Sequence, residues 1–210
     1  MRRRSLGGLA LLFAAASACG PTEPSPSPSP STSPTPNACS TAPSAYVKAV
    51  VDSWIPACSL AQNVSNDPQK ALGPEDAAGN GTVGYTGFVS LGFGGRVTVD
   101  LGGCINDLPG PDLRVFQAVS SEEVSVYVSL SPTGPFTLIE ARKQCGERIN
   151  AVKGYCDVDL ASGGVTRARY VRVEDGELFP CPGGTTSEGA DLDAVRALGV
   201  ATAGGAGSLP

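Results

Sequence analysis

The chain has 210 residues, 41% hydrophobic and only 6% aromatic, with 27 glycines and 18 prolines. Its 15 basic and 20 acidic residues give a net charge of −5, and three of the basic ones stand together at Arg2, Arg3 and Arg4; with no basic cluster further on, nucleic acid and anionic headgroups are poor partners. Histidine is absent, which removes the commonest general base, the commonest zinc ligand and every Ser-His-Asp or Cys-His triad.

In chain order, the first element is an address. The arginines precede an apolar run from Leu6 to Ala18 that is too short to span a bilayer and ends in small residues, so residues 1–18 read as a secretory signal peptide. The boundary "ASAC" places Cys19 after Ala16, Ser17 and Ala18. It resembles a bacterial lipobox, which implies a lipid on Cys19, although Ala16 stands where a bulky aliphatic residue is usual. Ordinary cleavage nearby, with Cys19 as a leftover thiol, is the alternative. Gly20 is not the aspartate that retains some lipoproteins at the inner membrane, so outer-membrane or cell-surface placement is expected. Residues 19–38 are then a lipid-anchored tether of Pro, Ser and Thr with no apolar surface to bury. In polyproline geometry it reaches roughly 50 Å.

Residues 39–201 form one domain's worth of chain, followed by a flexible tail over 202–210. Strand signals dominate. "YVKAVVDSWI" (46–55) predicts the opening strand. "GGRVTVDLG" (94–102) alternates Val97, Val99 and Leu101 against Arg96, Thr98 and Asp100. "DLRVFQAV" (112–119), "EVSVYVSLS" (123–131), "FTLIEA" (136–141), "YCDVDLA" (155–161) and "ARYVRVED" (168–175) follow, and "DLDAVRALGV" (191–200) closes the series. Gly92, Gly94 and Gly95 permit a tight entry into the second of these strands. "VYVSLSPTGPFTLI" reads as a hairpin about its Pro-Thr-Gly-Pro turn. About eight antiparallel strands with Gly- and Pro-rich turns, and no helical period, predict an all-β sandwich or barrel.

Beyond Cys19 there are six cysteines: Cys39, Cys58, Cys104, Cys145, Cys156 and Cys181. An even number in an exported domain predicts three disulfides, out of about fifteen possible pairings. Zinc is the competing reading, but no CxxC spacing occurs. Cys145 with Cys156 closes a short loop; Cys39 with Cys58 and Cys104 with Cys181 complete the most economical set.

The phrases "KALGPEDA…GFVSLGFGGRVTVDLGG", "INDLPGPDLRVFQ", "SVYVSLSPTGPFTLI", "RYVRVED" and "GADLDAV", in that order over residues 46–199, resemble bacterial cell-surface domains of the galactose-binding-like jelly roll, relatives of discoidin-type and carbohydrate-binding modules. The resemblance implies a jelly-roll β-sandwich and a structural calcium as a possibility. It does not name a ligand, because sugar, protein and lipid binders share the sandwich.

For calcium, the acidic residues at loop edges supply the oxygens that a hard cation takes six to eight at a time. Asp112 and Asp193 are the preferred ligands, with Asp191 and Asp175 beside them; Asp107, Glu75 and Asp76 are further acids in the same loops. Gln117 stands where related sequences tend to carry Glu, which lowers local charge. Against a site, these aspartates cap turns and face water, and Asp191 and Asp193 share the solvated face of an edge strand. For sugar recognition the aromatic candidates are Tyr85, Phe88 and Trp54, with Phe179 a further loop aromatic, and the loop "GNGTVGYTGF" (79–88) is the binding edge; a core position is the plainer reading of Trp54. Catalysis is the weakest reading. Asp191 and Asp193 lie about 6.5 Å apart on a strand, which does not exclude a glycosidase pair, yet a domain this small leaves little room for a deep cleft. Lys70 and Lys153 show no apolar burial signal. The expected function is a surface-displayed, non-catalytic binding or adhesion module, carbohydrate-binding with a structural calcium. The alternative is a structural envelope lipoprotein that contacts proteins and binds no sugar.

Overall fold

A computed structural model describes residues 39–56, 65–80, 83–118, 122–148, 153–176 and 189–200. Every predicted strand is present. The twelve strands are β1 (Ala49–Trp54), β2 (Ala78–Asn80), β3 (Val83–Thr86), β4 (Val89–Ser90), β5 (Arg96–Asn106), β6 (Leu113–Gln117), β7 (Glu123–Ser129), β8 (Thr137–Gln144), β9 (Glu147–Arg148), β10 (Gly154–Val158), β11 (Arg167–Asp175) and β12 (Asp191–Ala197). The four that the alternation did not mark, β2, β3, β4 and β9, are two to four residues long. That is too short for a period of two to register.

Ten strands form two antiparallel sheets, in the orders β1-β5-β11-β7-β8 and β4-β12-β6-β10-β9, and β2 and β3 pair as a separate ribbon. The chain passes between sheets at β4–β5, β5–β6, β6–β7, β8–β9, β10–β11 and β11–β12. These repeated crossings make the domain a jelly-roll β-sandwich. Within the two sheets only β7–β8 and β9–β10 are local hairpins, and β2–β3 is a further one outside them.

Alternation sets the core. Val97, Val99 and Leu101 of β5, Val124, Val126 and Val128 of β7, and Val171 and Val173 of β11 point inward from the first sheet. They meet Leu113 and Val115 of β6, Val158 of β10 and Leu192 and Val195 of β12. Each such side chain contributes about 1.5–3 kcal/mol by leaving water. The spacing of three between Leu192 and Val195 comes from a register shift in the β12–β6 pairing between Leu192 and Ala194. This bulge makes Asp193 the extra residue.

The glycine entry to β5 is as tight as the sequence implies. Gly92 and Gly94 both have φ +68, and a Cβ on Gly95 would lie 1.8 Å from the Leu91 carbonyl oxygen. Cys145 bonds Cys156, as spacing predicts, whereas Cys39 bonds Cys104 with Cα atoms 4.9 Å apart. The expected Cys39–Cys58 and Cys104–Cys181 pairings are therefore incorrect. Sequence economy favoured near neighbours, but the segment before β1 runs back along β5: Thr41 donates to the Gly102 carbonyl, 2.7 Å, and Ser44 N to the Leu101 carbonyl, 2.9 Å. Cys58 and Cys181 lie outside the described residues, as do Cys19, the signal segment, the tether and the tail.

Candidate functional site: an aromatic and polar row on the second sheet

The outward positions of β12, β6 and β10 fall into rows. Arg196 pairs in register with Arg114, Arg114 with Asp157, and Tyr46 bridges to Arg196 from the edge. One register step away, Ala194, Phe116, Tyr155 and Glu147 form a second row. Arg114 is clamped: its Nε and Nη2 donate to Asp157 at 2.6 and 2.8 Å, and its guanidinium lies 3.8 Å from the Tyr155 ring centroid. The Asp157 hydrogen bonds raise its proton affinity. Tyr155 packs against buried Phe116, ring centroids 6.2 Å apart. Its hydroxyl pKa is raised, first by the hydrogen bond to Glu147 and then by burial.

At the other end of the row, the Tyr46 hydroxyl donates to Glu75 Oε2 at 2.8 Å. Burial, then Glu75, raises its pKa. The guanidinium of Arg196 lies 5.7 Å from the Tyr46 ring. Lys153 Nζ donates to the Glu75 carbonyl at 2.9 Å and stands 4.0 Å from Asp193 Oδ2.

Asp193 anchors the loop that borders this row. Its Oδ1 accepts the backbone N–H groups of Asp76 and Ala77, at 3.0 and 3.1 Å. The residue is fully buried and its Oδ2 has no hydrogen-bond donor. Burial pushes its carboxyl up to about 6, against the partial relief of those two N–H groups and Lys153. The sequence reading of a solvated face for Asp191 and Asp193 is therefore incorrect: residues 76–77 lie against Asp193, and Asp191, 5% exposed, accepts from the hydroxyl of Ser90 on the neighbouring strand β4.

The expected calcium ligands do not converge. Asp112 adjoins the C-terminal end of β12, where Leu198 N donates to its carbonyl at 2.7 Å. Asp193 and Asp191 lie toward the strand's other end, roughly 16 and 23 Å away at about 3.3 Å per residue. Besides Asp193, two more of these buried carboxylates hold backbone N–H groups instead. Asp112 accepts from Leu108 N and Leu160 N, both 3.0 Å. Asp175 accepts from Gly94 N at 3.0 Å and Ala190 N at 2.9 Å. A closer acidic group is Asp107, Asp112 and Asp159, whose ligand atoms lie within 4.8 Å of one another. Burial, then the charges of Asp112 and Asp159, raises the Asp107 carboxyl. Asp159 did not stand out in the sequence because it looks like the N-cap it also is, accepting from Ala161 N at 2.8 Å.

The aromatic candidates separate as well. Phe88 is 2% exposed and packs with Ala77 and Ala118, so it offers no ring to a ligand. Trp54 is 50% exposed, at the end of β1 on the first sheet, with the Arg96 guanidinium 5.7 Å from its ring. A core position for it is excluded, and it does not adjoin Phe88. The side chain of Tyr85 lies outside the described residues, as does Phe179. Sequence reading missed Tyr46, Arg114, Tyr155 and Arg196. The alternation marked Arg114 and Tyr155 as outward, but strand order, which brings them together, is not written in any one strand.

Comparison with known proteins finds no matching family model and no matching curated protein. Among solved structures the chain is similar to the CBM32 of AlyQ in complex with 4,5-unsaturated mannuronic acid, at 14% identity and a TM-score of 0.42, covering 73% of this chain and 96% of that one. It is similar to chitosan-binding module 1 of a chitosanase/glucanase from Paenibacillus sp. IK-5, at 17% identity and TM-score 0.42, covering 76% and 100%. A third is CpGH89CBM32-6 produced by Clostridium perfringens, at 15% identity and TM-score 0.34, covering 61% and 96%. Likeness of this degree does not say what this chain binds.

Proposed function

We propose that this protein is a non-catalytic carbohydrate-binding module, carried at the cell surface by a lipid on Cys19 and the tether of residues 19–38. The observation that carries the reading is the outer row of the second sheet. Across its two adjacent rows the ring of Tyr46 flanks Arg196, and the ring of Tyr155 lies under the guanidinium of Arg114, with Asp157 and Glu147 as carboxylate acceptors beside them. Apolar ring faces beside fixed donors and acceptors match a polyhydroxylated ligand, whose sugar faces stack while its hydroxyls hydrogen-bond. A glycan array with the soluble domain tests it. Specific glycan binding that falls at least tenfold in Tyr155→Ala and Tyr46→Ala supports the reading. Silence across the array, with capture of an envelope protein instead, favours a structural lipoprotein. Partition of the full-length protein into detergent, abolished by Cys19→Ser, tests the anchor.

A structural calcium is a second reading, and it moves to Asp107, Asp112 and Asp159. Three carboxylates so close, with burial and then the neighbouring charges raising the Asp107 carboxyl, suit a hard divalent cation. Replacing chelator with millimolar Ca²⁺ should raise Tm in the wild type and not in Asp107→Asn. An unmoved wild-type Tm rules the site out.

A further inference from the structure

Arg196 stands apart from the other cations. Arg114, Arg169, Arg172, Arg96, Arg142, Lys143 and Lys153 each have a carboxylate oxygen within 4.0 Å. Among the described residues without one, Lys48, Lys70 and Arg167 are exposed and solvated by water. Arg196 alone is half-buried, and its Nε, shielded from solvent, has no acceptor. Its register neighbour Arg114 is another arginine, already neutralised by Asp157. The Tyr46 hydroxyl stands between Arg196 and the nearest acid along the row, Glu75, and interacts with both, so no carboxylate oxygen meets the guanidinium directly. A half-desolvated guanidinium with no carboxylate in direct contact is costly to keep. Charge-assisted pairing with a carboxylate is about twice as strong as neutral hydrogen bonding and geometrically specific to arginine.

We propose that the ligand of this face is an acidic saccharide, one bearing a carboxylate, and that Arg196 receives that carboxylate while Tyr46 and Tyr155 contact the sugar rings. This rests on the carbohydrate-binding reading above and narrows it to one chemical class. Bulk attraction does not explain such a preference, since a chain of net charge −5 repels polyanions in general. Arg196 is therefore a specificity-determining residue.

The test compares each of three acidic glycans, polygalacturonate, alginate and hyaluronan, with its own methyl ester, which removes the charge and adds one small methyl group per carboxylate. Binding to the full domain is measured by calorimetry at fixed ionic strength. At least one acid form should bind tenfold or more tighter than its ester. Arg196→Gln should bring that ratio close to one, Arg196→Lys should retain part of it, and Arg167→Gln, an exposed cation outside the face, should leave it intact. If acid and ester bind alike, or the ratio survives Arg196→Gln in a folded variant, the acidic-ligand inference is overturned while carbohydrate binding stands. If acid forms and esters are all ignored while neutral glycans bind on the array, the inference again fails alone. If no glycan of any kind binds, both fail together.

Discussion

The outer faces of the two sheets use the same residue types and reach different ends. On the first sheet, Arg169 donates through Nε and Nη2 to Asp100, both at 2.9 Å. Burial alone would raise Asp100, yet those bonds and the Gly102 N–H bring its carboxyl below the ordinary value. Arg172 lies 3.9 Å from the Phe136 ring, donates to Thr98 at 3.1 Å and stands 3.8 Å from Glu174. Arg96 has Asp52 at 3.9 Å and Trp54 beside it. Arg169, Arg172 and Arg96 thus each have an acid and a ring or hydroxyl within reach, although the Nε of Arg96 itself makes no hydrogen bond. On the second sheet Arg114 is matched in the same way, but Arg196 has no acid and Asp193 Oδ2 has no donor. A closed network stabilises a surface; an open one leaves chemistry for something else to complete. The difference locates the candidate site better than the mere presence of aromatics does, because both faces have them.

Breaking the closed network should have the largest effect. Asp100→Ala leaves Arg169 without its acid and Gly102 N without its acceptor on a mostly covered face. A loss of about 2–4 kcal/mol is expected from denaturant unfolding. The corresponding change on the second sheet, Asp157→Ala, should cost about 1–2 kcal/mol, since that pair is more exposed. Equal losses would show that the faces are not differently built.

Next comes pH. Folding holds the Asp193 proton up to about pH 6, against an ordinary value of 3.8. The native state therefore binds more protons than the unfolded chain across that window. This group's contribution to stability falls as pH rises through it, by roughly 2–3 kcal/mol, and is constant above. Asp193→Asn removes the titration, so the variant's stability relative to wild type should climb by that amount between pH 4 and pH 7. Parallel urea-unfolding curves across the range would refute the assignment.

The smallest effect is expected at Trp54. It is half exposed at a strand end, so Trp54→Ala should cost under about 1 kcal/mol. Glycan affinity should stay within twofold, because the ring lies on the other sheet from the proposed site. A large loss of binding would shift the site to the first sheet.

The fold was legible where inference stays within one strand. Valines at alternate positions in β5, β7 and β11 mark both strand and face, and "SPTGP" marks the turn between β7 and β8. It failed where the answer depends on what comes from elsewhere. Asp191 and Asp193 read as wet because nothing in "GADLDAV" states that residues 76–77 and Ser90 lie against them. The bulge at Asp193 breaks the count of two, so the partner of each later residue shifts. Cys39 finds Cys104 because the segment before β1 retraces β5. The Arg196–Arg114–Tyr155 juxtaposition requires the β12-β6-β10 order, which only the assembled sheet supplies.

The Cys39–Cys104 bond has a mechanical consequence. A pull applied through the chain before Cys39 divides at that residue, and the covalent branch leads straight to Cys104 on β5, second strand of its sheet. Residues 40–103 then lie off the load path, so edge strand β1 is not peeled away under tension. The force arrives instead along an interior strand with hydrogen-bonded neighbours on both sides, where ladders resist shear together rather than opening one bond at a time. Were the domain held from its N-terminal side, the bond from Cys39 to β5 would stiffen it, and a reducing agent would lengthen it under loads that the oxidised form withstands.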